Sequence, residues 1–200
     1  MTLALWLLAS YLLGAIPTSY LVARWLRGID LREHGSKNLG ATNLYRTLGW
    51  RYAVPAGLFD VAKGAIPVVA FAPRAGNQEW VPIGLGLAAI IGHVFSLFVR
   101  FRGGKGVATA AGAVLGLAPL PLAVGAAVWV TLVWATGYVS VASMFGAAAF
   151  PLAVLLLQPG DPYLLVAGVL LAAFIVFTHR ANIRRLLQGR EARFGHHAAP

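Results

Sequence analysis

Two hundred residues, 59% hydrophobic and only 11% charged, stand far from the soluble average of about one quarter charged, and a mean hydropathy of +0.75 puts most of the chain in lipid. The absence of cysteine excludes disulfides, thiolate metal sites and a Cys nucleophile. A net charge of +10 would point to nucleic acid in a soluble protein, but of the 16 Lys and Arg, 6 lie between Arg24 and Arg51, 3 between Arg100 and Lys105 and 5 between Arg180 and Arg193; this is the positive-inside pattern of a polytopic membrane protein, and no nucleic-acid partner is expected.

The first apolar run, Leu3–Ala23, lacks a basic leader and a small-residue cleavage site and reads as a retained span. Further spans read at Tyr52–Ala72, Trp80–Val99, Val141–Leu157 and Tyr163–Thr178, each near the length a ~30 Å core needs. The stretch Val107–Thr136 is too long for one span, and Leu117-Ala-Pro-Leu-Pro121 breaks it, because proline ends a helix at or near the preceding residue. Placing the three basic clusters inside and the cation-free turn at Gln158–Pro162 outside requires an odd number of crossings. The expected fold is therefore an all-α bundle of seven transmembrane helices, N-terminus outside and C-terminus cytoplasmic. It forms a single domain over residues 1–195, with 196–200 as a frayed tail. Gly112 and Gly116 form a small-xxx-small pair that lets the fourth helix pack closely. Asp60 and Lys63, one helical turn apart inside the second span, read as an ion pair that supports the bundle and the adjoining loops.

Three polar islands interrupt the lipid-like sequence, all on the expected cytoplasmic face. In the first, Glu33-His-Gly-Ser-Lys-Asn-Leu-Gly-Ala-Thr-Asn43, glycines at 35 and 40 let hydroxyl and amide side chains converge, and Arg46 follows as a fork for phosphate oxygens. An ordinary turn-rich loop has the same composition. In the second, Arg100-Phe-Arg-Gly-Gly-Lys-Gly-Val-Ala-Thr109, three glycines bare the backbone beside Lys105 and an apolar helical run starts at once. That is how a chain builds an anion site at a helix N-terminus. It is no Walker A motif, since Val99 and Gly106 stand where glycine and Ser/Thr are needed. A basic turn anchoring helices to anionic lipid is the plainer reading, but three glycines around one lysine exceed what anchoring requires. His93 reads as a residue bonded within the bundle. The third island is split between Ser140 and Ser143, one turn apart if helical, and Thr178-His-Arg-Ala-Asn-Ile-Arg-Arg185, where His179 and Asn182 share a face. Arg184 and Arg185 read as snorkelling to headgroups.

The motifs Gly35–Asn43, Phe101–Thr109 and His179–Asn182 with Arg184–Glu191, together with Tyr11–Pro17 and Asp60–Gly64, resemble the bacterial acyl-phosphate:glycerol-3-phosphate acyltransferases from about residue 11 to 191. The resemblance implies a multi-pass enzyme of the bacterial cytoplasmic (inner) membrane. It would move a fatty acyl group from acyl phosphate to the 1-hydroxyl of sn-glycerol 3-phosphate, the first step of phospholipid synthesis, giving lysophosphatidic acid and phosphate. By resemblance, Gly103, Gly104, Lys105, Gly106 and Thr109 serve the acyl phosphate. Ser36, Arg46, Lys105, Ser143, His179 and Asn182 serve glycerol 3-phosphate. The catalytic set is Ser36, Asn38, Lys105, His179 and Asn182, with either His179 or the substrate's own phosphate taking the proton. The His-x-x-x-x-Asp dyad of thioester-using acyltransferases is absent: Leu39, Phe98 and Arg184 stand five residues beyond His34, His93 and His179. Neither acyl-CoA nor acyl carrier protein is thus expected as donor. No cofactor and no metal are expected, and activity is expected from a monomer. A phosphate or organophosphate transporter is the rival from another class; against it, the polar groups gather at one face, and no inverted repeat is visible.

Overall fold

The computed structural model describes residues 2–194, which are helical with no strand among them. The expected tail at 196–200 lies outside those residues. The chain divides into two compact units, Met1–Leu117 and Ala118–Pro200.

In the first unit, α1 (Leu3–Ala15) and α2 (Thr18–Arg27) replace the continuous first span expected from hydropathy. Pro17 lacks an amide donor and its ring disfavours helical backbone at Ile16, so the pair bends by 41°. The Ile16 carbonyl exposed at the break is taken by Lys63 Nζ at 2.7 Å, which keeps it satisfied inside an apolar bundle. Gly28 closes α2 in the left-handed conformation (φ 67°), its amide bonded back to Arg24. A loop leads to α3 (Ala41–Leu48), and α4 (Trp50–Ile66) continues through a π-turn at Pro67–Phe71 into the short α5 (Ala72–Ala75). After α6 (Trp80–Val94) come a 3₁₀ turn at Leu97–Val99, the glycine loop, and α7 (Val107–Leu117).

Close approach between helices is made by glycines set against facing backbone. A β-carbon on Gly14 of α1 would lie 2.1 Å from the Ala89 carbonyl oxygen of α6, and one on Gly92 of α6 2.2 Å from that of Tyr11. Between α4 and α7, Gly64 faces the Thr109 carbonyl and Gly112 the Val61 carbonyl, each 1.9 Å from the β-carbon it lacks. With lipid outside, such van der Waals fit does the work that water-driven burial does in soluble folds. Gly112 thus seats α7 against α4, and Gly116, meeting Val68 and Val69, against the π-turn that continues it, the close packing their spacing predicts.

In the second unit, α8 (Pro119–Thr136) and α9 (Val139–Leu157) meet at Gly125 and Gly146. α10 (Pro162–Thr178) starts with Pro162 at its first position and Asp161 as cap, its Oδ1 accepting the Leu164 amide at 2.8 Å. α10 and α11 (Arg180–Leu187) bend by 56° at His179.

Among the described residues, four helices, Trp50–Ala75, Trp80–Val99, Pro119–Thr136 and Val139–Leu157, are long and apolar enough to cross a bilayer, and the two bent pairs raise this to as many as 6. Trp134 and Leu156 show the outward apolar surface of such helices, at 88% and 79% exposure.

Candidate active site

The first island is a loop tied by one side chain. Asn43, buried in the first turn of α3, accepts the Ser36 amide on Oδ1 at 2.8 Å. Its Nδ2 donates to the carbonyls of Asn38 (2.9 Å), His34 (3.0 Å) and Leu31 (3.2 Å). Gly35, at φ +56°, is required here, since a β-carbon would meet Asn43 Oδ1 at 2.3 Å. The knot fixes the backbone of Ser36 and Asn38, so their side chains project from a rigid frame. Lys37 between them is left-handed at φ 59°, a conformation that costs a non-glycine residue roughly 1–2 kcal/mol. Arg46 lies on α3, half-buried. Sequence reading grouped Asn43 with the donors; the structure shows it as the tie that holds the others. Leu31, Leu39 and Leu44 of this region share a buried cluster with Val99, which joins the first island to the approach of the glycine loop.

Within the glycine loop, the amides of Gly103 and Gly104 are already donated, to the carbonyls of Val94 (2.9 Å) and His93 (3.1 Å). The expectation that these glycines present free N–H groups is corrected by those bonds. Their function is contact: a β-carbon on Gly103 would sit 1.9 Å from the His93 carbonyl oxygen, and one on Gly104 2.2 Å from His93 Nε2. The anion-facing donors move one turn on. Gly106, at φ +85°, hands the chain into α7, whose first amides, at Val107, Ala108 and Thr109, have no preceding turn to bond. Lys105 stands beside them, and Thr109 Oγ1 is buried with no hydrogen-bond partner among the described residues. Orphan amides, a dipole end, a lysine and a buried hydroxyl make an anion-binding helix start.

Behind the loop, Asp60 and Lys63 form the ion pair expected from their spacing, Nζ to Oδ1 at 2.7 Å. Thr18 Oγ1 donates to the same oxygen at 3.1 Å, and His93 Nδ1 lies 3.7 Å from it.

The second unit gathers the third island. Ser140 and Ser143 occupy successive turns at the start of α9, as expected if helical. Ser143 Oγ donates to the Val139 carbonyl at 2.7 Å and accepts from Trp129 Nε1 at 3.2 Å. His179 Nδ1 lies 2.8 Å from the Ile175 carbonyl, which can only accept, so the proton is on Nδ1 and a neutral ring carries its lone pair on Nε2. Glu191, which sequence reading gave no role, is the hub. Its Oε1 accepts from Asn182 Nδ2 at 2.6 Å and Ser140 Oγ at 2.9 Å, and its Oε2 from Arg185 Nε at 2.7 Å. Arg185 is thus an ion-pair partner and not a snorkelling side chain. A carboxylate accepts only, so the Asn182 amide must turn its nitrogen to Glu191, and Oδ1 is left buried with no partner among the described residues. Burial pushes the Glu191 carboxyl up, but the Asn182, Arg185 and Ser140 donors outweigh it and hold the group below the ordinary glutamate value. The sequence cue was the lone acid nine residues beyond Asn182 in a basic tail.

Among the described residues no group of three His, Cys, Asp or Glu is placed to hold a metal ion.

Comparison with known proteins places these features in one family. A family model described as glycerol-3-phosphate acyltransferase matches residues 4–189. The glycerol-3-phosphate acyltransferase of Trichlorobacter lovleyi is 46% identical over 189 residues, covering 94% of this chain and 96% of that protein. That of Desulforudis audaxviator is also 46% identical, with 92% of each chain covered. Among solved structures, PlsY, an integral membrane glycerol 3-phosphate acyltransferase, superposes in its glycerol 3-phosphate form with a TM-score of 0.89 at 39% identity, covering 96% of both chains. Its lysophosphatidic acid form gives 0.87 at 38% identity, covering 96% of this chain and 95% of that one.

Proposed function

Given that the chain belongs to the glycerol-3-phosphate acyltransferase family, we propose that it carries the reaction out with an acyl phosphate as donor, at the cytoplasmic face of the bacterial inner membrane. The observation that carries the donor assignment is the start of α7, with the orphan amides of Val107 to Thr109, the buried Thr109 hydroxyl that has no partner among the described residues, and Lys105 two residues ahead of the helix in the chain. Gly103, Gly104 and Gly106 allow that approach. Glycerol 3-phosphate is assigned to Ser36, Arg46, Lys105, Ser143, His179 and Asn182. The family match from 4 to 189 supports treating residues 1–195 as one acyltransferase domain. A single copy is taken as sufficient, since every assigned group lies in one chain.

An acyl phosphate is a mixed anhydride, already activated, so no covalent enzyme intermediate is required. The 1-hydroxyl oxygen of glycerol 3-phosphate attacks the acyl carbon, the carbon–oxygen bond to phosphate breaks, and phosphate leaves with the electron pair. The enzyme's main task is to bring two anions together, which Lys105, Arg46 and the helix-start amides offset. Ser36 and Asn38, on their tied loop, stabilise the developing oxyanion. Asn182, with its nitrogen committed to Glu191, offers Oδ1 and so accepts from a hydroxyl and cannot grip a phosphate oxygen. His179 is assigned to the glycerol phosphate, the hydroxyl proton passing to a phosphate oxygen.

Purified protein should release phosphate from acyl phosphate only when glycerol 3-phosphate is present, and acyl-CoA should not replace the donor. Saturable organophosphate uptake into liposomes without turnover would instead establish the transporter reading. Lys105→Ala should lose about 10²–10³-fold in kcat with the fold retained. For His179→Ala, a rise in the glycerol 3-phosphate KM is expected; a collapse of kcat alone would make His179 the base.

A further inference from the structure

His93 closes α6 and is buried, and the glycine loop is laid directly on it. Two successive loop amides bond to two successive α6 carbonyls, Gly103 to Val94 and Gly104 to His93. The ring itself faces the Gly104 backbone: the three atoms nearest a β-carbon at that position are His93 Nε2 at 2.2 Å, Cε1 at 3.0 Å and Cδ2 at 3.1 Å. The other edge of the ring, Nδ1, looks toward Asp60 Oδ1 at 3.7 Å. That oxygen is fixed by Lys63 Nζ and Thr18 Oγ1, and Lys63 also holds the Ile16 carbonyl at the break in the first span. One buried line of polar groups therefore runs from the α1–α2 break, through α4, to the underside of Gly104. Bundle support alone gives no reason for that line to end under Gly104, next to the loop's lysine.

We propose that His93 is a positioning residue for acyl transfer: its ring is the floor under Gly104, and the Asp60–Lys63 pair holds that floor where Lys105 and the first amides of α7 are aimed at the donor phosphate. This rests on the assignment of the loop to the acyl phosphate. A floor that fixes the loop's height pre-organises Lys105 and the first amides of α7 for the donor phosphate without touching a reactant, so its loss weakens the hold on the donor.

The test is a double-mutant cycle in the full-length purified enzyme with His93→Ala, Gly104→Ala and both together. It measures kcat, the KM of each substrate, and thermal unfolding in detergent. His93→Ala is expected to lower kcat/KM for acyl phosphate by about 10–100-fold, mostly through the donor KM. Gly104→Ala should lose at least as much, and the double variant should recover about tenfold or more over Gly104→Ala, because the methyl group then enters the space of the ring. Additive losses in the double variant, a silent His93→Ala, or a collapse of kcat with both KM values unchanged would each overturn the proposal. If coupling appears but the KM of glycerol 3-phosphate moves, the positioning role stands and the donor assignment falls. Should His93→Ala fail to fold, His93→Gln, which keeps bulk beneath Gly104, should hold the donor KM within about threefold of wild type, and a tenfold rise would sink the idea.

Discussion

Glu191 shows how much a single side chain outside the reacting set can decide. Its two oxygens accept from Ser140 and Asn182 on one side and Arg185 on the other, so no neutral isostere satisfies all three. In Glu191→Gln the new NH₂ must face one of these donors. The expected loss is about 1–3 kcal/mol of stability, with activity falling toward that of Asn182→Ala because the amide of Asn182 is freed to turn. The pH dependence has a defined sign. The folded carboxyl titrates below its ordinary value of about 4.3, so the folded state binds fewer protons there than the unfolded one. The contribution is complete above that ordinary value and is lost as pH falls through the lower folded one. Unfolding temperatures of wild type and Glu191→Gln should therefore converge on acidification, and a gap constant down to pH ~3 would contradict the assignment. Lys37 offers the opposite case. It sits at φ 59° beside Ser36, so Lys37→Gly should stabilise the loop by about 1 kcal/mol, read as a raised unfolding temperature with kcat intact.

At the scale of elements, α7 depends on α4 through glycines. Gly112→Leu drives a side chain into the Val61 carbonyl, 1.9 Å from where even a β-carbon would lie, and Thr109, one turn earlier, moves with the helix. Overpacking of this kind costs about 1–3 kcal/mol, and the donor KM should rise along with the drop in unfolding temperature. An unfolding temperature equal to wild type would show that α7 is not seated this way. The Gly112/Gly116 spacing made this contact legible, because small residues four apart mark a face. The Asp60–Lys63 pair was legible for the same helical reason. Other parts were hidden by physics that pattern cannot carry. Hydropathy is blind to the break at Pro17, since Thr18–Ala23 keeps the apolar content of the run. The roles of Asn43 and Glu191 are set by partners 5–12 and 6–51 residues away, beyond any local spacing rule. The fate of the Gly103 and Gly104 amides was misjudged because glycine content shows that backbone can be approached, not what approaches it.

For the molecule as a whole, the number of crossings turns on one helix. Four long helices and two bent pairs give up to 6 spans, and α7 has 11 residues. At 1.5 Å per residue it is about 16 Å long, well short of a ~30 Å hydrocarbon core. If α7 crosses, the count is seven and the termini lie on opposite sides; if it re-enters and returns, parity fails and the basic clusters cannot all face inward. We expect it to cross with the bilayer thinned around it, which also leaves the glycine loop at its start below the headgroups, where an acyl phosphate's chain stays in lipid while its phosphate meets Lys105. The absence of cysteine makes this directly measurable. Single cysteines at the exposed positions Asn77, Leu120 and Gly160 should react with a membrane-impermeant thiol reagent in intact cells, and those at Glu33 and Gln188 only after permeabilisation. Leu120→Cys is the decisive site, because it follows α7 directly: protection of both Leu120→Cys and Gly160→Cys while Asn77→Cys labels, with Gln188→Cys now reactive in intact cells, would remove the seventh crossing and with it the inward-facing site.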